Sequence, residues 1–197
     1  MGESIKRIVG PYQDSYSPNG IIGEKDACGV GFVANVEGIE SNWILKQSLK
    51  GLNCMEHRGG CGGDSDSGDG AGILCSIPWG YLEEKINLKN TQEFNRGLGM
   101  VFMPNKKEKI EICKSICDEE AEKLKVNKTS WRTVPVNNEI LGPLAKANAP
   151  FICQWILYID KKDHKDVERL LFQLRKRIEK KIRETFKNDV GDCEFYF

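Results

Sequence analysis

The sequence has no surplus of either charge, because its 29 basic side chains are matched by 29 acidic ones. That removes the electrostatic basis for a nucleic-acid partner or an anionic membrane, both of which reward a basic excess. No run approaches the roughly 18–20 apolar residues that a membrane-spanning helix needs. The opening Met1-Gly2-Glu3-Ser4-Ile5-Lys6-Arg7 leads into no apolar stretch, so nothing there reads as a secretory signal. Lys6 also stands where a myristoylation pattern requires Ser or Thr. Histidine is scarce, with two residues in all. Neither lies near Cys113-x-x-x-Cys117, the closest cysteine pair, so no zinc ligand set is completed and no metal site is expected.

Cysteine and glycine, by contrast, are plentiful: 8 and 20 among 197 residues. Without a secretory signal the cysteines are expected to be reduced, intracellular thiols rather than disulfide staples. A hydrophobic content of 40% with 29% charged residues suits a globular chain with a real core.

Residues 1–27, rich in Gly, Pro, Ser, Tyr and Asp and without an apolar period, read as an extended leader. Composition changes at Cys28, where Cys28-Gly-Val-Gly-Phe-Val-Ala-Asn-Val36 is expected to be a buried strand. Ser41 can cap a helix carrying Leu45, Ser48, Leu49, Leu52 and Met55 on one face. Seven glycines and three aspartates then crowd into residues 59–72. Ile73–Ile77 reads as a strand, and a short helix is expected after Pro78 from Trp79, Leu82 and Ile86. Gly97–Pro104 is a further strand. Residues 105–125 should be helical, with Ile110, Cys113, Ile116, Cys117, Ala121 and Leu124 facing inward, which makes both cysteines core residues one turn apart. Trp131–Val136 and Phe151–Ile159 are strand candidates. The final helix shows an apolar stripe of Val167, Leu170, Leu171, Leu174, Ile178 and Ile182 opposite a basic face (Arg169, Lys176, Arg177, Lys180, Lys181 and Arg183) expected to be solvated. Glu194–Phe197 reads as the beginning of a strand, so the sequence is expected to be cut off there.

Three strings stand out by their order. Cys28-Gly29-Val30-Gly31-Phe32 is followed about one helix later by Met55-Glu56-His57-Arg58-Gly59-Gly60-Cys61, then by Asp66-Ser67-Gly68-Asp69-Gly70-Ala71-Gly72-Ile73. A phosphate-binding loop would need Gly-Lys-Ser/Thr after the glycines, which is missing. A dinucleotide fingerprint needs a strand before and a helix after, the reverse of the order expected here. A calcium loop starting at Asp64 would put Asp69 at the required glycine and Cys75 at the required glutamate. The glycines therefore read as a tight connection that lets backbone approach a site closely.

The ordered set resembles the N-terminal class II glutamine amidotransferase domain of the glutamate synthases, most strongly over residues 26–78. Glu-His-Arg-Gly-Gly-Cys and Asp-Ser-Gly-Asp-Gly-Ala-Gly resemble the ferredoxin-dependent type more than the pyridine-nucleotide type. The resemblance implies an α+β fold, the four-layer αββα sandwich of the N-terminal-nucleophile hydrolases, over residues 28–197, with 1–27 as a propeptide and the domain incomplete at its C-terminus. It makes Cys28 the nucleophile, attacking the side-chain amide of L-glutamine to release ammonia and leave a glutamyl thioester. Once Cys28 is residue one, its own α-amine, with a reference pKa of about 7.7–8.0, can take the thiol proton. As written the chain is a precursor, because the Cys28 nitrogen is an amide until the Ala27–Cys28 bond is cut.

Arg58 and Gly59 fall where the family supports the glutamine pocket. The plainer reading makes Arg58 the end of a helix and Gly59 its left-handed stop. His57 reads as structural and His164 as surface. The family's carboxylate-binding Arg and its oxyanion Asn-Gly pair lie in later segments that this sequence does not contain. Loss of one oxyanion donor costs about two to three orders of magnitude in rate, so this polypeptide alone is expected to be inactive. No cofactor is expected in this segment. FMN, an iron–sulfur cluster, the remaining synthase domains and an electron donor, ferredoxin favoured, are implied for the full-length enzyme, in the cytoplasm or a plastid stroma. Two alternatives stand beside this one: a truncated, non-catalytic remnant with at most a binding role, and an unrelated thiol or metal protein built on the eight cysteines.

Overall fold

A computed structural model describes residues 29–56, 59, 64, 66–68, 70–87, 93–160, 163–187 and 195–197. Five α-helices and three strands follow one another along the chain as α1 (Asn42–Cys54), α2 (Trp79–Lys85), β1 (Phe94–Met103), α3 (Lys107–Lys123), β2 (Lys128–Thr133), α4 (Pro143–Ala147), β3 (Phe151–Asp160) and α5 (His164–Thr185). The strands form an antiparallel sheet in the order β1-β3-β2. The architecture of the described residues is therefore α+β.

β3 is central, and its alternation decides the two faces. Cys153, Trp155 and Leu157 point to one side, where Val101 and Met103 of β1 join them against α3 and α5. Ile156 and Tyr158 point to the other, where α2 seals them with Leu82, Trp79 and Ile86. The inward residues of α3 are Ile110, Cys113, Ile116, Cys117 and Ala121, as its 3.6-residue period requires. Those of α5 are Val167, Leu174, Ile178 and Ile182. Each such large apolar side chain, fully buried, contributes about 1.5–3 kcal/mol. Gly97 lies under α5: a Cβ there would come within 2.8 Å of Leu171 Cδ2, so a larger residue would make the Leu171 side chain turn aside.

Polar pins fix these layers. Asp118 on α3 accepts from Thr129 Oγ1 at 2.8 Å, Trp131 Nε1 at 3.0 Å and Trp155 Nε1 at 3.1 Å, bolting the helix to β2 and β3. The two indoles stack with centroids 5.3 Å apart. Glu120, 5% exposed, accepts from Lys123 Nζ at 2.5 Å and from Arg177 Nε of α5 at 2.7 Å. On the opposite face Arg96 pairs with Glu83 at 2.9 Å and lies over the Trp79 ring, holding α2 to β1.

Several sequence expectations are corrected. Residues 29–36 and 73–77 are not strands; neither segment joins a ladder among the described residues, and Val30, Phe32, Val36 and Leu74 are almost fully exposed. Gly38, at φ +71°, instead closes a turn in which the Asn35 side chain accepts from Glu37 N. β1 begins three residues before Gly97, and β2 runs from Lys128 rather than Trp131. Arg177, read as part of a solvated face, reaches across to Glu120. The strand-like ending has a counterpart: Tyr196 pairs with Phe102 on the outer edge of β1, with hydrogen bonds of 2.9 and 3.2 Å.

Candidate active site

Of the residues that the sequence nominates, Cys28 and Arg58 lie outside the described residues, as do His57 and the 1–27 leader. Gly59 is described, and so are the flanks of all three strings. α1 is capped as expected, Ser41 Oγ accepting from Ile44 N at 3.4 Å. The helix stops at Cys54, with Met55 as its C-cap at φ −94°. Gly59 is therefore not the left-handed stop of that helix. It lies past the end in a tighter turn, donating its N–H to Glu56 O at 3.0 Å, and the positive-φ glycines among the described residues are Gly38 and Gly70.

The segment just after Cys28, helix α1 and the segment after the glycine-rich loop come together. They line a groove of about 610 Å³, with Val33, Asn35, Leu45, Ser48, Ile73 and Pro78 among its walls. The two outer strings, more than 30 residues apart in sequence, thus deliver their downstream flanks to one place.

The glycine-rich loop is anchored in a way the sequence reading missed. Asp64 Oδ1 accepts from Ser67 N at 2.8 Å, and Asp64 Oδ2 accepts from Ser67 Oγ at 2.7 Å. The same Oδ2 accepts from Leu144 N at 2.8 Å, and Ser67 Oγ accepts from Ala145 N at 3.0 Å. The first N–H groups of any helix lack partners within it. In α4 Pro143 has no N–H, Leu144 and Ala145 donate to the loop, and Lys146 begins the helical ladder by donating to Gly142 O at 2.9 Å. The Leu144 N–H, followed by the Ser67 hydroxyl, draws the Asp64 pKa down to about 2. Gly142 is required by packing: a Cβ there would lie 2.6 Å from Asp66 C, Ser67 N and Ser67 Oγ. Gly142-Pro143, with Pro at the first helical position, was the signal that could have exposed this helix start.

The described cysteines are thiols, Cys54 and Cys75 exposed and Cys113, Cys117 and Cys153 buried. Burial pushes the Cys117 and Cys153 thiols up, which disfavours the thiolate that metal binding needs. Cys113, Cys117 and Cys153 are core packing, as their period required. Among the described residues no group of three or more His, Cys, Asp or Glu is disposed to hold a metal. No helix of the described residues is long and apolar enough to cross a membrane.

The sequence that carries Gly59, the anchored Asp64–Ser67 loop and the groove belongs to a defined class. The family model for class-II glutamine amidotransferases matches residues 28–197, and the chain belongs to that family. Within it the chain is similar to the ferredoxin-dependent glutamate synthases, the type that the Glu56–Cys61 string favours. It is 40% identical to ferredoxin-dependent glutamate synthase 1 of Arabidopsis thaliana over 178 residues, 88% of this chain and 11% of that protein. It is 39% identical to the Oryza sativa enzyme over 191 residues, 95% and 12% of the two chains. It is 41% identical to ferredoxin-dependent glutamate synthase 2 of Synechocystis over 170 residues, 84% and 11%. The chain thus spans about a tenth of the length of these relatives.

Proposed function

We propose that residues 28–197 form the nucleophile-bearing part of a glutamine-hydrolysing domain serving glutamate synthesis. The observation that carries this reading is where the family match starts: it begins at Cys28 itself and excludes the leader. A domain whose first residue is its nucleophile needs no separate general base. Loss of residues 1–27 frees an α-amine beside the Cys28 thiol, and that amine takes the thiol proton as sulfur attacks the glutamine amide carbon. The proton returns to the departing nitrogen, ammonia leaves, and water cleaves the thioester to glutamate. Arg58 and Gly59 support the pocket; the turn past α1 in which Gly59 N donates to Glu56 O favours that role for Gly59.

The finer fold belongs to the same proposal. The sheet carries α3 and α5 on one face. The exposed apolar residues of 29–36 and 73–77 suit a second sheet layer, which would complete an αββα sandwich. The names of the relatives favour ferredoxin as electron donor and a plastid as one location. FMN and an iron–sulfur cluster are implied for the full-length enzyme; among the described residues three of the five thiols are sealed in the core and form no ligand set for a cluster. No step is assigned to either group.

Peptide mapping of the natural gene product tests the nucleophile. A peptide beginning with a free amine on Cys28, and L-glutamine slowing alkylation of that thiol, are the expected results. An intact peptide through Ala27–Cys28 in all of the protein would sink the catalytic reading and leave the binding-module alternative.

A further inference from the structure

The Asp64–Ser67 turn and the start of α4 are held together by two hydrogen bonds spanning about 80 residues of sequence, Leu144 N to Asp64 Oδ2 and Ala145 N to Ser67 Oγ. They are the two available first-turn donors of that helix, and Ser67 is 7% exposed. Gly142 fits against Asp66 and Ser67 with no room for a Cβ. At its other end Gly59 N donates to Glu56 O in the turn that follows α1. Asp64 follows Gly59 by five residues, a reach of at most about 18 Å, so a fixed Asp64 limits where Gly59 can sit.

We propose that Asp64, Ser67 and Gly142 form a clamp that sets the position of Gly59, making Asp64 and Ser67 positioning residues for glutamine binding. The proposal rests on the glutaminase reading above for its ligand, but the clamp itself is a property of this chain. Asp64 supplies two acceptor oxygens, and Ser67 passes the connection on by donating to Asp64 while accepting from Ala145. A hydroxyl at 67 is therefore needed in both roles, and threonine keeps it where alanine does not. The junction can also be opened from the far side without removing any of its polar groups, by adding a methyl at 142.

The test uses Ser67→Ala, Ser67→Thr and Gly142→Ala in the natural gene product, read by amide hydrogen exchange and by glutamine hydrolysis. Exchange in peptides covering 56–68 and 142–147 should rise about tenfold in Ser67→Ala and Gly142→Ala, while β3 and α5 keep wild-type protection. The KM for glutamine should rise about tenfold with kcat within threefold, because the loop is displaced while the nucleophile is intact. Ser67→Thr should restore both readouts. A variant that merely unfolds would lose protection in β3 and α5 and would lower kcat without moving KM. If the wild-type product hydrolyses no glutamine, the functional reading fails, and exchange alone still decides the clamp. Wild-type exchange over 56–59 in both Ser67→Ala and Gly142→Ala overturns the proposal.

Discussion

Asp118 shows how much of this fold hangs on single acceptors. Two indole N–H groups and a threonine hydroxyl converge on its carboxylate, and both rings stack on each other beneath α3. A buried indole N–H without a partner is destabilising by about 1–3 kcal/mol. Replacing Asp118 with alanine strands both indoles, since the shortened side chain presents no oxygen. The urea midpoint of Asp118→Ala should fall by the equivalent of about 2–4 kcal/mol, allowing for two stranded donors. Asp118→Asn, keeping one oxygen, should lose about half of that. Tryptophan emission should shift in the folded baseline of both variants, and an unchanged midpoint for Asp118→Ala would remove the carboxylate from the account. None of this was legible in the sequence, where Asp118 sits among charged residues on a helix and Trp131 and Trp155 look like ordinary strand aromatics.

Elements that bury their own stripe could be read directly. α3 and α5 came from a 3.6-residue period because each inward face is local to its helix, and every buried apolar residue of the two helices is one the stripe named, with Glu120 the buried residue it missed. Strand pairing is non-local, so composition said that 29–36 and 73–77 were apolar but could not say what would pair with them. α4 and its Asp64–Ser67 anchor were missed for a related reason, since the residues that complete the helix start lie far upstream. The ion pair between helices, Arg177 of α5 with Glu120 of α3, was equally hidden. Glu120 is held by Lys123 and then by Arg177, and these hydrogen bonds lower its pKa; Lys176 and then Arg175 lower that of Glu179. A carboxylate whose folded pKa is depressed adds stability above its unfolded pKa and loses it as pH falls through the folded one. The Glu120 contribution should therefore be complete above the ordinary glutamate value of 4.5 and fade on acidification below it. Glu120→Gln should cost about 1–3 kcal/mol at pH 7, by leaving Arg177 and Lys123 without a charged acceptor. Wild type and variant should converge towards pH 3. Denaturant unfolding across pH 3–7 checks this, and a gap that persists unchanged at the acid end would mean the loss is packing rather than charge.

The whole molecule divides by how its apolar surface is used. From Phe94 onward, α3 and α5 cover one face of the sheet, while α2 covers part of the other through Leu82, Trp79 and Ile86. Towards the N-terminus, α1 has no buried residue, and Val30, Phe32, Val36 and Leu74 present apolar surface to solvent. Segments with few buried contacts open locally at low free energy, whereas a packed core opens only near the global limit. Limited proteolysis should therefore cut first within 29–41 and 70–78, at exposed backbone that forms no ladder. A product containing β1 to α5 should survive those cuts, held by the Asp118 and Glu120 pins. The same apolar stretches should bind a hydrophobic dye in the folded chain, because patches of this kind are otherwise covered in soluble proteins. If the 197-residue polypeptide resists cleavage there as strongly as at β3, and binds no dye, the N-terminal segments have found cover. Sedimentation at several concentrations would show whether that cover comes from association between copies, in which case dilution should restore both the cleavage and the dye signal.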